Sequence, residues 1–410
     1  MQKHLVVIGG GAGGFFCAVN AARMAPHLKV TILEKTTKIL SKVKISGGGR
    51  CNVTHALFDV VEMSKRYPRG QNFVKKTFHQ FFTTDTIQWF ESRGVKVKAE
   101  KDGRMFPVTD SSQSIIDCLL QEANLYGVEI RMNAEVKKLA KSNGQWTIAL
   151  ANEQQLLADY VCLATGGYPK AAMFDWLKSL GHQFAEPVPS LFTFNLPKHP
   201  ITSLMGVSVE KVRVKIEGSK LAEEGPVLIT HWGLSGPAVL RLSAWGAREL
   251  AGKSYTFRVH VAWLTDYNEQ SLKEVFRDLR RQHPAKKISN HNLGLPNRLW
   301  QFLLEQSGVQ EDLRFTDLPA KTENTFIRNL VDYGVDVQGK TTFKEEFVTA
   351  GGVNLSEVDA NTMMSKKVPN LFFAGEVLDV DGITGGFNFQ HAWTSGWIAA
   401  KSISALAEVR

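Results

Sequence analysis

Near the start of the chain, apolar residues come in short unbroken runs. Leu5 to Ile8 is one, and Lys29 to Leu33 carries the next. Runs of this length without alternation suit strands covered on both faces of a parallel sheet. Between them, Gly9 to Gly14 breaks the pattern. Phe15 to Met24 has helix-forming character, and Pro26 ends it. The predicted opening is therefore strand, tight turn, helix, strand. Amphipathic helices are predicted at 83–93 and 112–126; in the second, Ile115, Ile116, Leu119, Leu120 and Ala123 share one face. Strands are predicted at 95–99, 127–132, 145–150 and 160–164.

The pattern changes near Pro187. Segments 192–196, 207–216, 227–229 and 255–263 read as short strands. Val207 and Val209 alternate, and so do Val212, Val214 and Ile216, but the two sets are out of step. That break calls for a bulge near Glu210 and Lys211. Helices are predicted at 271–282, 296–306 and 321–333. After Thr349, glycine-rich and buried-strand signals return, with a strand at 371–374 and a terminal helix at 392–407. The chain thus reads as leaving its first domain and coming back to it. The predicted boundaries are 1–190 for the first part of that domain, 191–270 for a β subdomain, 271–333 for a helical insert, 334–348 for a return strand of the β subdomain, and 349–410 for the rest of the first domain.

Composition narrows the class. Of 410 residues, 43% are hydrophobic and 22% charged, which is globular and excludes disordered, collagen-like or coiled-coil chains. The net charge of +9 suits an anionic ligand and is weak evidence for nucleic acid. Cys17, Cys51, Cys118 and Cys162 form no CxxC pair, so neither a disulfide framework nor a zinc site is expected, and no metal. A reducing compartment follows. No apolar run approaches the ~20 residues of a membrane-spanning helix. The glycine-broken N-terminal stretch reads as mature structure and not as a signal peptide, so a cytoplasmic location is expected.

The stretch Gly9-Gly10-Gly11-Ala12-Gly13-Gly14 contains GxGxxG. The pattern alone is weak. Here it follows a buried strand, opens a helix, and has Glu34 at the end of the next strand, twenty residues beyond Gly14. Each part has a physical task. Gly9 permits the turn, Gly11 lets the backbone approach a pyrophosphate, and Gly14 lets helix pack on strand. The helix start offers free N–H groups and a dipole to negative charge. Glu34 would accept hydrogen bonds from a ribose diol. Further glycine-rich segments follow at Ser46 to Asn52, Ala164-Thr165-Gly166-Gly167, Gly375-Glu376 and Gly385-Gly386-Phe387-Asn388-Phe389-Gln390. A second glycine-lined helix start can carry partial positive charge to the N1–C2=O edge of a flavin and stabilise its anionic reduced form. The expected cofactor is FAD. The cofactor-binding candidates are Gly9, Gly11, Ala12, Gly13, Gly14, Glu34, Lys35, Lys42, Gly48, Gly49, Arg50, Cys51, Asn52, Ala164, Thr165, Gly166, Gly167, Gly375, Glu376, Gly385, Gly386, Phe387, Asn388 and Gln390. For Glu376 the expected role is a hydrogen bond to the ribityl hydroxyls.

At these residues the chain resembles the BaiN-like flavoprotein family, whose members are usually labelled NAD(P)/FAD-dependent oxidoreductases. The resemblance runs nearly the full length. It is carried by GGGAGG, KISGGGRCNVT, GRMFPVTD at Gly103–Asp110, LATGGYP, THWGLSGPA at Thr230–Ala238, TAGGV and FAGEVLDVDGITGGFNFQHAW. It implies an α/β fold with a Rossmann-like FAD-binding domain split over both chain ends, an inserted β-barrel subdomain and a small helical insert. It also implies an adenine contact from the Ala134-Glu135-Val136 backbone. No second GxGxxG with a strand before it is present, so a nicotinamide (NAD(P)H) would bind only transiently over the flavin, or another donor would reduce it.

Candidates for chemistry are fewer. His231 and Ser235 lie in THWGLSGP, where His231 could donate a proton opposite hydride transfer, or the segment could simply be a turn before a helix. Arg104 and Asp110 could orient an anionic substrate or pair with each other. Cys51 beside the flavin could be redox-active; a small packed residue is the plainer reading. His391 reads as packed in the last helix. The predicted activity is hydride transfer through a noncovalently bound flavin to an organic acceptor, an electron-poor alkene or enone by family analogy. The predicted partner is a small molecule and not a membrane. An RNA-modifying flavoprotein is the rival reading, supported by the charge and the Arg277–Lys287 run and weakened by that run's lack of stacking aromatics. A non-enzymatic FAD-bound interaction protein is a third.

Overall fold

The structure is a computed structural model and describes residues 2–341 and 348–408; part of the return strand expected at 334–348 therefore lies outside the described residues. The chain divides into two compact units, Met1–Ser190 with Phe343–Arg410, and Leu191–Thr342.

The first unit is built on a five-stranded, all-parallel sheet. Its order is Leu371–Phe373, Tyr160–Leu163, His4–Ile8, Lys29–Leu33, Glu129–Arg131. Leu5, Val6 and Val7 are fully buried, as strands covered on both faces require. The first helix, Ala12–Met24, begins at the Ala12 amide; Gly11 caps it in extended conformation. It packs against the terminal helix, Phe387–Glu408. Gly396 makes that approach close, because a Cβ there would stand 2.7 Å from the Gly13 carbonyl oxygen. The terminal helix starts five residues earlier than its hydrophobic pattern predicts, since Phe387, Gln390 and His391 are buried and carry helical structure through a mixed polar stretch. An aromatic cluster of Phe16, Phe81, Trp89, Phe90 and Trp393 fills the space behind the first helix. Burial of each such ring contributes about 1.5–3 kcal/mol, and the indole N–H groups are satisfied: Trp89 donates to Asn20 Oδ1 at 3.0 Å and Trp393 to the Val53 carbonyl at 2.9 Å. The sheet order and the glycine-opened first helix make the unit Rossmann-like. Small antiparallel sheets flank it, one from segments 54–55, 104–107 and 97–99 and one from 136–142, 145–150 and 155–158.

The second unit carries a seven-stranded antiparallel sheet, from Tyr333–Gln338 through Thr256–Ala262, Ser208–Ile216, Ala222–Ile229, Gly233–Ser235 and Thr193–Asn195 to Lys340–Thr341. Register shifts between Val209 and Val212, the place where the alternation slips in the sequence. Val209, Val212, Val214 and Ile216 consequently all face the core. Helices Glu269–Gln282, Asn297–Gln306 and Ala320–Val331 join the same hydrophobic core through Leu272, Phe276, Trp300, Leu303 and Phe326.

Among the described residues, no helix is long and apolar enough to cross a membrane.

Candidate functional site

In the first unit, the turn between the first strand and first helix is backbone-on-backbone packing. Gly9 has φ +117°, and a Cβ there would stand 2.2 Å from the Ala164 carbonyl oxygen. At Gly14 a Cβ would stand 2.0 Å from the Gly9 carbonyl oxygen. Gly11 differs: nothing lies within 4 Å of its Cβ position. Two glycines therefore serve close contact and one faces open space. The first-turn N–H groups behind Gly11 lack intrahelical partners, which makes this end attractive to an anion.

Glu34 ends the second strand and is already anchored. Its Oε2 accepts the Gly10 N–H at 3.0 Å, and its Oε1 accepts the Thr36 N–H and hydroxyl at 2.9 Å each. These bonds fix its carboxylate on the rim of a cavity of about 290 Å³. Five of the expected residues, Gly9, Glu34, Lys35, Val136 and Thr165, line it together. Tyr168, Met173 and Trp176 complete the wall; Tyr168 lies in the LATGGYP motif but was not singled out, and Met173 and Trp176 follow in a stretch with neither periodicity nor motif. A cavity of this size with a flat aromatic wall and a carboxylate suits a nucleoside.

A second cluster forms where the Leu371–Phe373 strand ends. The Cβ position of Gly13 lies 3.4 Å from the Ala374–Gly375 peptide. Glu376 accepts the Thr349 N–H at 2.8 Å and the Lys42 ammonium at 2.6 Å, so both carboxylate oxygens have protein partners. A Cβ on Gly167 would stand 2.5 Å from Thr349 Oγ1. That hydroxyl is buried without a hydrogen-bond partner. His391 packs behind the cluster, its Nε2 donating to the Gly375 carbonyl at 3.3 Å while its Nδ1 is buried and unpartnered. Burial pulls its pKa down to about 4. The imidazole is thus neutral in the folded chain down to that pH, whereas the unfolded chain protonates near 6.5. Its contribution to stability is full above pH 6.5 and is lost as pH falls to about 4, by about 3 kcal/mol at most. The His391→Gln variant is expected to flatten this part of the acid limb in denaturant titrations between pH 7 and 4; an unchanged limb would dismiss the assignment.

The start of the terminal helix is strapped from several sides. Asn388 accepts the Gly382 N–H at 2.8 Å and donates to the Gly382 carbonyl at 3.0 Å. His55 Nδ1–H donates to the Gly385 carbonyl at 2.9 Å, and its ring stacks on Phe387. Burial holds the His55 pKa below the usual imidazole range. Asn52 accepts the Gly386 N–H at 3.0 Å while donating to the Thr54 carbonyl at 3.1 Å. Gln390 accepts from the hydroxyls of Thr54 and Thr86 at 2.6 and 3.0 Å. Behind the loop, Asp381 is fully buried and is held by a bidentate Arg69 and by Ser190 Oγ at 2.8 Å. Asp381, which the sequence offered with Glu376 and Asp379 as carboxylates for acid–base work, is instead committed to Arg69 and Ser190; His55 and Arg69 were not singled out by the sequence, since each acts by holding a loop in place.

The remaining candidates have partners or surroundings of their own. The Arg50 guanidinium is committed to Glu100 at 2.6 Å and lies 3.9 Å over the Phe106 ring. Arg104 pairs with Asp102 at 2.7 Å and Glu100 at 3.0 Å, and Asp110 pairs with Lys98 at 2.5 Å; Arg104 and Asp110 are not partners. The reason is strand register, which places Arg104 opposite His55 and turns it back along its own hairpin. Cys51 is fully buried at φ +62°, and burial pushes its thiol up to about 12, so it is a packed residue and not a nucleophile. Gly48 and Gly49, at φ +69° and +85°, have open space beside them, as does Gly166. His231 and Ser235 belong to the second unit. His231 is exposed at the 230–233 turn, and Ser235 Oγ accepts from the Thr193 hydroxyl at 3.1 Å. Gly236 and Pro237 then open the helix Pro237–Trp245.

The residues present fit an extended dinucleotide: a nucleoside-sized cavity, an open Gly11, an unpartnered Thr349 hydroxyl, and a second glycine-opened helix on the same unit. Comparison with known proteins agrees. Residues 3–402 match the HI0933-like protein Rossmann domain family. The chain is 32% identical to the ribosomal RNA dihydrouridine synthase of Escherichia coli (strain K12) over 98% of each chain. It is 30% identical to the 3-dehydro-bile acid delta(4,6)-reductase of Clostridium scindens, over 98% of this chain and 99% of that one. In fold it is similar to the open conformation of a flavocytochrome c3 fumarate reductase, with TM-score 0.52 and 17% identity over 99% of this chain and 79% of that one. The chain belongs to the HI0933-like Rossmann domain family and is an FAD-dependent oxidoreductase.

Proposed function

We propose that this enzyme reduces a carbon–carbon double bond conjugated to a carbonyl, and that its substrate is uracil within ribosomal RNA. The observation that carries the reaction class is the full-length likeness to two relatives whose names describe that one bond type. Dihydrouridine arises by adding two hydrogens across the uracil double bond next to a carbonyl, and a 3-oxo-4,6-diene is the same electrophile in a steroid. The enone predicted from the sequence and the uracil ring thus pose one chemical problem. The greater identity to the RNA-directed relative and the net charge of +9 favour RNA.

FAD, held by residues from both ends of the chain, would supply hydride from its N5 when bound. The protein's part is binding, orientation and proton placement. The first helix start, with Gly11 through Gly14, neutralises the pyrophosphate. Glu34 and the cavity walls would hold the adenosine, and Lys42, Glu376 and Thr349 are the polar groups that would hold the chain joining the cofactor's two halves. The Gly385–Gln390 helix start would offer partial positive charge to the N1 side of a bound flavin. His231 is our assignment for the proton delivered to the carbon beside the carbonyl, with Ser235 four residues on as a second candidate in the same segment. Arg104 is withdrawn from that role because its guanidinium is held by two carboxylates. The electron donor we assign is NADH or NADPH, visiting the flavin face without a domain of its own.

The test is an anaerobic incubation of the yellow enzyme with transcribed ribosomal RNA and either nicotinamide, followed by digestion and mass spectrometry. The expected product is a uridine two hydrogen atoms heavier. Unmodified RNA alongside rapid reduction of a 3-oxo-4,6-diene steroid would return the assignment to a small-molecule enone.

A further inference from the structure

The basic run that the sequence singled out belongs to the second unit, and the cofactor site does not use it. From Leu279 to Leu304 the sequence holds no Asp or Glu, yet it holds Arg280, Arg281, Lys286, Lys287 and Arg298. Arg280 and Arg281 are paired with Glu323 and Asp278. Lys286, Lys287 and Arg298 have no acidic partner among the described residues. Lys286 Nζ lies 3.1 Å from His291 Nδ1, and Lys287 and Arg298 are exposed. Uncompensated cations on an acid-free stretch are the electrostatic footprint of a polyanion.

Read alone, the run lacks an aromatic. The fold supplies one by a continuous path through the same unit. The Ile288 carbonyl accepts the Trp300 indole N–H at 3.0 Å, and the Ser289 carbonyl accepts from Gln301 at 3.2 Å, which docks the lysines on helix Asn297–Gln306. Arg298 leaves the first turn of that helix and donates to the Ser203 carbonyl at 2.8 Å. The chain continues to Met205, 56% exposed, and Gly206, whose N–H donates to the Ile229 carbonyl at 2.9 Å. From Ile229 the strand runs into the 230–233 turn, where Trp232 is 46% exposed and its ring lies 4.6 Å from that of His231. A large exposed indole on a closely bonded turn is not core, and the hairpin is held at its base: Thr230 and Gly233 exchange backbone bonds at 2.7 and 3.2 Å.

We propose that this strip, from Lys286 and Lys287 through Arg298 to Trp232, is an RNA-binding surface. The cations meet successive phosphates and Trp232 stacks on an unpaired base. Cations fix position along a backbone without reading sequence, whereas an indole face captures a base that has left its stack. That pairing suits an enzyme acting on a base, which must be taken out of its neighbours to be reached. The surface rests on the reading of ribosomal RNA as substrate, and the two can fail separately.

The experiment measures affinity of the FAD-loaded enzyme for transcribed ribosomal RNA by filter binding across a salt series. In the Lys286→Ala/Lys287→Ala variant the slope of log affinity against log salt should become shallower by about 1.4. In Trp232→Ala the affinity should fall roughly 5- to 150-fold with the slope unchanged, and Trp232→Phe should restore most of it. Lys215→Ala/Lys220→Ala removes equal charge at and beyond the end of the 208–216 strand opposite to the one that pairs with Leu228, and should match the wild type. Flavin absorbance and melting temperature check each variant's fold. Tight, salt-dependent binding that ignores all these changes would overturn the surface and leave the substrate assignment standing. Equal loss in the Lys215/Lys220 control would reduce the strip to generic attraction and overturn it. Wild-type enzyme that neither binds nor modifies the RNA would overturn the substrate assignment itself, and the surface with it.

Discussion

Replacing Gly14 with alanine is expected to give a colourless and less stable protein. The added Cβ would stand 2.0 Å from the Gly9 carbonyl oxygen and 3.3 Å from the Ala164 side chain. The first of these is backbone and cannot rotate away. Relief requires the first helix to lift from its strand, which costs about 1–3 kcal/mol or more. It also turns the anion-binding N–H groups off their target. Flavin released per chain should fall at least tenfold, a loss of about 1.4 kcal/mol or more in binding. Gly11→Ala is the informative partner. Its Cβ meets nothing in the protein and its backbone, at φ −92°, accepts a side chain. It should retain the wild-type melting temperature of the flavin-free protein and still bind less flavin, because the methyl occupies the approach of the pyrophosphate. Full flavin content in Gly14→Ala would remove the basis for placing the cofactor at this turn.

The second large effect is expected at Asp381→Ala. The carboxylate is wholly buried, and Arg69 is only 12% exposed. Burial raises the Asp381 pKa against the opposing pull of Arg69 and Ser190. Removing the carboxylate leaves the guanidinium without that counter-charge, a loss of about 3–5 kcal/mol. The consequence is local as well as global. Ile383 N–H donates to the Arg66 carbonyl at 3.0 Å and the Tyr67 hydroxyl to the Phe387 carbonyl at 2.6 Å, so segment 66–69 and loop 381–387 are one strapped body. Loosening it should release flavin at a lower temperature than it unfolds the chain, which flavin fluorescence and circular dichroism would separate during one melt. The paired replacement Arg69→Met with Asp381→Leu should recover much of the stability, since matched apolar groups carry no desolvation cost. Melting curves for Asp381→Ala that overlay the wild type would show that the pair contributes nothing.

What the sequence revealed was what local spacing controls. The six-residue turn, Glu34 and the buried first strands were legible because a nucleotide turn is made by neighbours in the chain. The bulge between Val209 and Val212 was legible because side-chain alternation has a period of two and a slip is visible. Side chains that act across long separations were not legible. Trp176 enters the cavity wall from a segment with no periodicity. Thr349 and Gly167 meet from positions far apart in sequence. Arg50 read as a cofactor contact in a glycine-rich segment, yet its guanidinium meets Glu100, fifty residues on. The missing aromatic of the basic run was present all along, more than fifty residues upstream, and only hydrogen bonds through Arg298 and Gly206 connect it.

The parallel sheet of the first unit takes its edge strand from residues 371–373 and its covering helix from 387–408. During synthesis, therefore, the half of that unit made first must wait while residues 191–342, an uninterrupted stretch, are translated and become free to fold. A chain stalled before residue 371 would present the edge of the Tyr160–Leu163 strand, unpaired and apolar, to proteases and chaperones. For this protein, premature termination is a hazard of aggregation as much as a loss of activity.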